Sequence, residues 1–487
     1  MYKNFFNEFT NKKVLFSWKK IPWKQQNLFI CKLQEQIYKK ALRGESESMN
    51  KFQKIILYSL SSKFLAIKIV TDKSPYLLAD TTKIKLALSL DFTNSQDLYC
   101  YWQKLQLDIK YSIFQDIYTQ CFAIIINLIL EPQWEAYLEP NILGGRTGHY
   151  PKDLIQHILN VLKKYKLNYA TLGSLDFNLN KKHKSIIWNK LHNTQSIKNL
   201  IAFYFSLISN LEYTIPQSYP VFFYETHITD LFFNILTYGF QYNLMQNNLF
   251  FNINKKNSGL SFNSLIYINY GTNTLVLCNN KAQIEILNKV ISKTFVALQL
   301  NPYLHTTFIN PQSSQFEILG FLFKFYKYSI NVIPNVHKQK ELIYSIRKIL
   351  YKKDFIGRTR AMNHITLGHA IDKINPLLEN WINYYNICTN LQYFHGVDQI
   401  INESIYRWQI KKYKKKIVNS WNTQCIRYIK NKKRIAQGNK ILKLLSQEYS
   451  KFHHIAATPY YRSIYDQNHI YWRRKKIYKC IKNRIFY

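Results

Sequence analysis

The side chains best suited to chemistry in this chain are cations and aromatic rings, and they crowd toward one end. Residues 411–487 hold 21 Lys and Arg against two acids, Glu448 and Asp466. Trp421, Tyr428, Tyr460, Tyr461, Tyr471 and Trp472 are interleaved with them. Cations neutralise phosphates and flat rings stack on unpaired bases, so the combination suits single-stranded or irregular RNA. Residues 338–416, which share Lys411–Lys416 with that stretch, hold 15 Lys and Arg against 6 acids. Other chemistry has thin support. His453-His454 could ligate a metal, but no Cys-x-x-Cys pair or acid cluster accompanies it, so neither a zinc site nor an HNH nuclease is expected. Asp176, in Leu175-Asp-Phe-Asn-Leu-Asn-Lys-Lys-His183, reads by itself as a solvated acid on a polar stretch.

Several elements must position these groups. Residues 264–278 read Ser-Leu-Ile-Tyr-Ile-Asn-Tyr-Gly-Thr-Asn-Thr-Leu-Val-Leu-Cys, two β-prone apolar runs around a Gly-Thr-Asn break, which predicts a strand–turn–strand hairpin. Ile30, Leu33, Ile37 and Ala41 repeat at helical spacing, and a second helical pattern runs through 52–69. Residues 76–165 read as mainly helical. Ile374, Leu377, Leu378, Trp381, Ile382 and Tyr385 form the apolar stripe of an amphipathic helix, with Asn375-Pro376 as its expected start.

The 487 residues suggest two to four domains, and 47% hydrophobic content supports a large core. Net charge is +39, from 67 Lys and Arg against 28 Asp and Glu, which repels itself unless a polyanion is near. Nucleic acid is the expected partner. The seven cysteines are scattered, so a reducing compartment is expected. The longest apolar run, 121–130, is too short to span a bilayer, and no membrane association is expected. The N-terminus carries an acid early and no signal or transit pattern, as for a protein made where it works. The bias toward Lys, Ile, Asn, Tyr and Phe points to an AT-rich genome, hence an organelle or a reduced bacterium.

In order along the chain, a series of segments resembles the group II intron reverse transcriptases and maturases. Trp18-Lys-Lys-Ile-Pro-Trp23, residues 33–41 and Leu60-Ser-Ser-Lys-Phe-Leu-Ala-Ile-Lys-Ile-Val-Thr71 resemble the family's N-terminal region, which grips the intron RNA; Lys19 and Lys20 fall there. The Gly-Val-Asp-Gly that normally follows is replaced by Leu78-Ala79-Asp80. Glu131-Pro-Gln-Trp-Glu-Ala-Tyr-Leu-Glu-Pro-Asn141 resembles the stretch before the family's Tyr-Gly-Phe-Arg-Pro, here Leu143-Gly144-Gly145-Arg146-Thr147-Gly148, with Arg146 kept. The hairpin resembles the catalytic one that carries Tyr-Ala-Asp-Asp, but its four positions are Tyr270-Gly271-Thr272-Asn273. Asp176 is then the candidate for the first palm acid, given a short deletion before His183. Counting back from Asn234-Ile-Leu-Thr-Tyr-Gly239 puts Phe222-Phe223-Tyr224 where the nucleotide-positioning Pro-Gln-Gly belongs; Ile215-Pro216-Gln217 is out of register. Phe316-Glu-Ile-Leu-Gly-Phe321 resembles a strand closing the palm. Asn375-Pro-Leu-Leu-Glu-Asn-Trp-Ile-Asn-Tyr-Tyr385 and Ile405-Tyr-Arg-Trp408 resemble domain X, the maturase or thumb region, whose basic faces bind intron RNA. Residues 453–472, ending His469-Ile-Tyr-Trp472, resemble the C-terminal segment.

The resemblance implies an α+β fold: polymerase-like fingers and palm, a helical thumb and a basic C-terminal domain. The expected divisions are 1–75 for N-terminal RNA binding, 76–330 for fingers and palm, 331–416 for the thumb and 417–487 for the basic end. The RNA-binding residues it implies are Lys19, Lys20, Arg146, Arg347, Lys348, Lys352, Lys353, Arg358, Arg360, Arg407, Lys411, Lys412, Lys414, Lys415, Arg473 and Arg474. Polymerases hold two Mg²⁺ between carboxylates, and Thr272 and Asn273 offer only neutral oxygens. One acid at Asp176 cannot hold two ions. The expected function is therefore a maturase that assists splicing of its host group II intron without copying it, with Mg²⁺ required by the intron RNA and no cofactor bound by the protein. The alternative is a residually active RNA-dependent DNA polymerase of a mobile intron; a basic RNA-binding protein unrelated to introns is the third reading. Intron RNA is the expected partner, with DNA and a second copy of the chain as further candidates. The expected location is the plastid (chloroplast), with the mitochondrion as the alternative.

Overall fold

The computed structural model describes residues 17–74, 77–90, 98–105, 109–139, 141–164, 169–177, 179, 181–214, 225–240, 242–243, 266–278, 281–308, 314–326, 329–429, 432–452 and 462–466. It is an α+β fold. After a short 3₁₀ turn at Trp18–Lys20 come helices α1 (Trp23–Leu42), α2 (Ser46–Tyr58), α3 (Leu60–Lys73), α4 (Asp80–Ser89), α5 (Leu98–Leu105) and α6 (Tyr111–Tyr137). Ile30, Leu33, Ile37 and Ala41 all fall on the buried stripe of α1, as their spacing predicts. The pattern through 52–69 is two helices rather than one. Ser59 breaks it by adopting an extended backbone and accepting a hydrogen bond from the Ser62 amide, which caps α3.

Helix α6 is the axis of this bundle. It runs 27 residues and is long and apolar enough by length and composition to cross a membrane, so the reading of 121–130 as too short is corrected. Most of it is enclosed instead by α1, α2 and α3, with two later helices on its other side. Pro132 sits inside it and cannot donate to the carbonyl of Leu128 four residues back. The buried Gln34 side chain makes up that bond, donating to Leu128 O at 3.0 Å. Gln53, Gln133 and Asn193 form a second buried polar knot, with Asn193 donating to both glutamine oxygens at 2.8 Å. Buried amides without such partners would cost about 1–3 kcal/mol each, so these bonds fix the packing register.

The next elements are α7 (Pro151–Lys164), β1 (Tyr169–Asp176), α8 (Lys181–Lys190), α9 (Gln195–Thr214), α10 (Glu225–Thr237), β2 (Ile266–Tyr270), β3 (Asn273–Cys278), α11 (Lys281–Ala297) and β4 (Asn301–Phe308). Helices α9 and α10 complete the enclosure of α6. The strands form one antiparallel sheet in the order β2-β3-β1-β4. Both faces are covered, which is why β3 reads as continuously apolar rather than alternating. Leu275 and Leu277 share a core with Leu154, Ile155 and Ile158 of α7. Val276 and Cys278 share another with Ile284, Leu287, Ile291 and Phe295 of α11.

Phe316–Phe321 does not add a strand to this sheet. It spans most of β5 (Gln315–Ile318), a Leu319-Gly320 turn and the first residue of β6 (Phe321–Tyr326), and these strands form a separate three-stranded sheet with β7 (Ser329–Pro334). Leu319 and Gly320 reverse the chain there with φ of 51° and 77°.

The basic half is built on α12 (Val336–Leu350), the hairpin β8 (Tyr351–Lys353) and β9 (Thr359–Ala361), α13 (Leu367–Tyr385) and α14 (Leu391–Tyr413). The side chains of Asn335, Thr366 and Asn390 cap the three helices, accepting from the amides of His337, His369 and Gln392. Such a cap is worth about 1 kcal/mol. Leu342, Ile346 and Leu350, then Ile374, Leu378 and Ile382, then Phe394, Ile401, Ile405 and Trp408 bury in one core. Asn375-Pro376 is not the start of α13. Thr366 caps the helix nine residues earlier, and Pro376 lies inside it, while Asn375 accepts from the Lys443 amide and donates to Ile441 O.

Next come α15 (Lys415–Ser420), β10 (Ile426–Ile429), β11 (Lys432–Gln437), β12 (Lys440–Ile441) and α16 (Leu445–Phe452). Leu442, Leu445 and Tyr449 pack into the core of α12–α14. Asp398 of α14 caps α16 from across the core, accepting from the amides of Leu445 and Ser446 at 2.8 and 3.0 Å.

Candidate nucleic-acid interface

Helices α12 and α14 lie side by side with their apolar stripes turned inward, so their polar faces meet along a groove. Tyr344, Arg347 and Lys348 recur at three- and four-residue spacing on α12; Gln399, Glu403, Arg407 and Lys411 recur at four-residue spacing on α14. The β8–β9 hairpin closes the end. The resulting open cleft of about 940 Å³ is lined by Arg347, Lys348, Lys352, Lys353, Arg407 and Lys411, with Tyr344, Tyr351 and Thr359 among them. Six of the cations expected to contact RNA thus converge, from segments more than 50 residues apart.

Their bonding differs. Arg407 is paired with Glu403 at 2.6 Å, one helical turn away on an exposed face. Lys411 donates to Thr359 O at 2.6 Å and ties the hairpin to α14. Lys348 lies 4.9 Å from the Tyr344 ring and Lys411 5.7 Å from that of Tyr351. Burial pushes the Tyr351 hydroxyl above its ordinary range, against the opposing pull of Arg347 and Arg407. It stays a neutral donor beside the cations. Arginines, lysines and hydroxyls around an open trough, with rings on its walls, can hold a phosphodiester backbone and stack bases.

The remaining expected residues are scattered. Arg358 and Arg360 stand exposed on the hairpin, Arg360 with its Nε 3.0 Å from Asp354. Lys412 donates to Ile365 O at 2.7 Å, away from the cleft. Lys414 is exposed at the junction of α14 and α15, and the side chain of Lys415 is not described. Lys19 and Lys20 are exposed beside buried Trp18 and are not among the described residues that line the cleft. Arg473, Arg474, Phe222–Tyr224, the Ile215-Pro216-Gln217 stretch and His453-His454 lie outside the described residues. Arg146 is not on a surface. It is buried, with Nε and Nη2 on the Glu135 carboxylate at 3.1 and 2.8 Å and Nη1 on Ile142 O. This clamp holds the 141–149 loop between α6 and the β2–β3 hairpin. Gly144 is required there, because a Cβ would fall 1.8 Å from Gly271 N.

The β2–β3 turn does gather the three positions matched to polymerase acids. Ser174 faces Asn273 across the β1–β3 ladder, the Leu175 amide donates to Thr272 O at 2.9 Å, and β1 ends at Asp176. The side chain of Asp176 is not described. Thr272 and Asn273 are neutral donors, and among the described residues no group of three His, Cys, Asp or Glu could hold a metal. These two positions supply none of the carboxylates that a two-ion site needs. Sequence reading missed Asp230 of α10, which sits against Gly145 and 3.6 Å from where a Gly271 Cβ would be. Burial pushes its carboxyl up to about 6.

An α+β chain with a basic, ring-lined cleft is matched by two family models in the expected order. The N-terminal domain of reverse transcriptase matches residues 18–76, and the group II intron maturase-specific domain matches residues 353–428, which include Lys353, Arg407 and Lys411 of the cleft. The two matches support membership of the group II intron maturase and reverse-transcriptase family. No curated protein matches the chain.

Proposed function

We propose that the protein is an intron maturase that binds its host group II intron RNA and favours the RNA's splicing-competent fold. The observation that carries this is the cleft between α12 and α14, where six cations and two tyrosines converge, three of the cations (Lys353, Arg407 and Lys411) within the matched maturase-specific domain and the rest just before it. Binding that discriminates between RNA folds shifts their populations by its differential affinity. The RNA supplies the transesterification chemistry and its own Mg²⁺. In this reading residues 76–330 are degenerate fingers and palm, α12–α14 the thumb, and reverse transcription has been lost with the acids at Thr272 and Asn273. Its setting would be a plastid or, failing that, a mitochondrion, and DNA or a second copy would be secondary partners.

The test is salt-dependent binding of the full chain to its host intron transcript, followed by splicing and by primer extension on the same RNA with Mg²⁺. Tight, salt-sensitive binding with accelerated splicing and no extension is expected. Primer extension, or binding without any effect on splicing, would overturn the proposal.

A further inference from the structure

We propose that the tip of the β8–β9 hairpin is a base-stacking element, with Phe355 laid on an unpaired RNA base whose backbone runs in the adjoining cleft. The inference rests on the reading of that cleft as an RNA site and adds what it selects. Phe355 is 97% exposed and Ile356 59% exposed, side by side at a turn, where polar residues are the norm. A Phe355 ring held almost wholly in water adds nothing to the fold by burial, and Ile356 beside it is more than half exposed.

The tip is nevertheless well ordered by its bonding. Asp354 Oδ1 accepts from the amides of Ile356 and Arg358 at 3.1 and 2.7 Å, and its Oδ2 accepts from Arg360 Nε at 3.0 Å. The Asp354 amide donates to Arg358 O, and Gly357 closes the turn at φ +80°, a conformation that favours glycine. Partial desolvation works against the Asp354 charge, but Arg360 and the two amides outweigh it and hold the carboxyl below its ordinary range. An aromatic ring presented on so bonded a turn loses little freedom on contact.

The charge around it selects the partner. Lys352, Lys353, Arg358 and Arg360 surround the tip, all exposed, and the tip's one acid is engaged by Arg360. A neutral protein surface would leave these cations unmatched, and a second copy of a chain carrying +39 would be repelled. RNA satisfies both features, with phosphates for the cations and a base face for the ring. Lys352 and Lys353 line the cleft itself, so ring and trough share one strand. Bases within a duplex are already stacked on each other, and the ring has no face to take there. The hairpin therefore distinguishes loops and bulges from helices.

The experiment uses the full chain and two probes, a single-stranded RNA 20-mer carrying one 2-aminopurine and a blunt RNA duplex of equal length. Phe355→Ala is expected to weaken binding to the single strand about ten-fold, within the range for one lost base stack, and to leave the duplex unaffected. Its salt dependence should match wild type, because no phosphate contact is removed. Phe355→Trp should keep wild-type affinity and quench the 2-aminopurine on binding, whereas Phe355→Leu should not. Equal weakening on both probes, or full rescue by leucine, would overturn the stacking role. Sedimentation that shows wild-type self-association abolished in Phe355→Ala would assign the tip to a protein interface instead. If wild type binds neither probe in a salt-dependent way, the cleft reading falls and takes this inference with it. If wild type binds and Phe355→Ala changes nothing, only the tip assignment fails.

Discussion

Replacing Lys352 and Lys353 together by alanine tests the cleft most directly. Both are exposed on β8 and line the trough, and among the described residues neither they nor Arg347 and Lys348 form a salt bridge. These four are therefore the cations readiest to displace counterions from phosphate. Each phosphate neutralised contributes about 0.7 to 0.9 to the slope of log affinity against log salt. Four such contacts predict that affinity falls roughly 50- to 150-fold between 50 and 200 mM salt, and two predict a fall of only about 7- to 12-fold. The double variant should thus bind more weakly at low salt and far less steeply with salt. Fluorescence anisotropy with a labelled intron transcript over that range reads both quantities. Thermal melting should be nearly unchanged, because surface substitutions away from core features usually stay within about 0.5 kcal/mol. A slope identical to wild type would refute the reasoning, since it would mean that phosphate does not occupy the trough.

Glu135→Gln should destabilise the fold by about 3–5 kcal/mol, because it leaves the buried Arg146 guanidinium without its charge partner; denaturant unfolding checks this. Loss of RNA affinity in Arg146→Met at unchanged stability would instead return Arg146 to the RNA surface. Asp230 should make stability depend on pH. Its folded carboxyl titrates at about 6 against an ordinary value near 4, so the stabilised, protonated form is fully present below about pH 4 and the penalty grows until the pH has passed 6. Asp230→Asn should then gain up to about 3 kcal/mol at pH 8 and little at pH 4, and a gain independent of pH would refute the assignment.

Much of the local structure was legible in the sequence, because its causes are local. The β2–β3 hairpin follows from two apolar runs around Gly271, and α1 and α13 from apolar residues at helical spacing. The composition likewise fixed a strongly basic chain in need of a polyanion. Errors arose where a distant partner overrode a local signal. Pro376 reads as a helix start but lies inside α13, which Thr366 caps, while Asn375 is taken up by Ile441 and Lys443 more than sixty residues away. Phe316–Phe321 reads as one strand, but Leu319 and Gly320 both take positive φ and fold it back.

The same division holds for the candidate site. Sequence counts cations and cannot rank them: Arg146 and Lys352 are equally basic on paper. Only the fold buries the first against Glu135 and turns the second outward on β8. The sequence by itself determined a strongly basic, ring-rich chain, since net charge and aromatic content are sums over residues that no packing changes. The tertiary structure alone decided which of those cations gather in one cleft, because its walls come from α12 and α14, some sixty residues apart. Their juxtaposition is set by the core between them, from Leu342 and Ile346 to Ile405 and Trp408, and not by the cations that line the cleft.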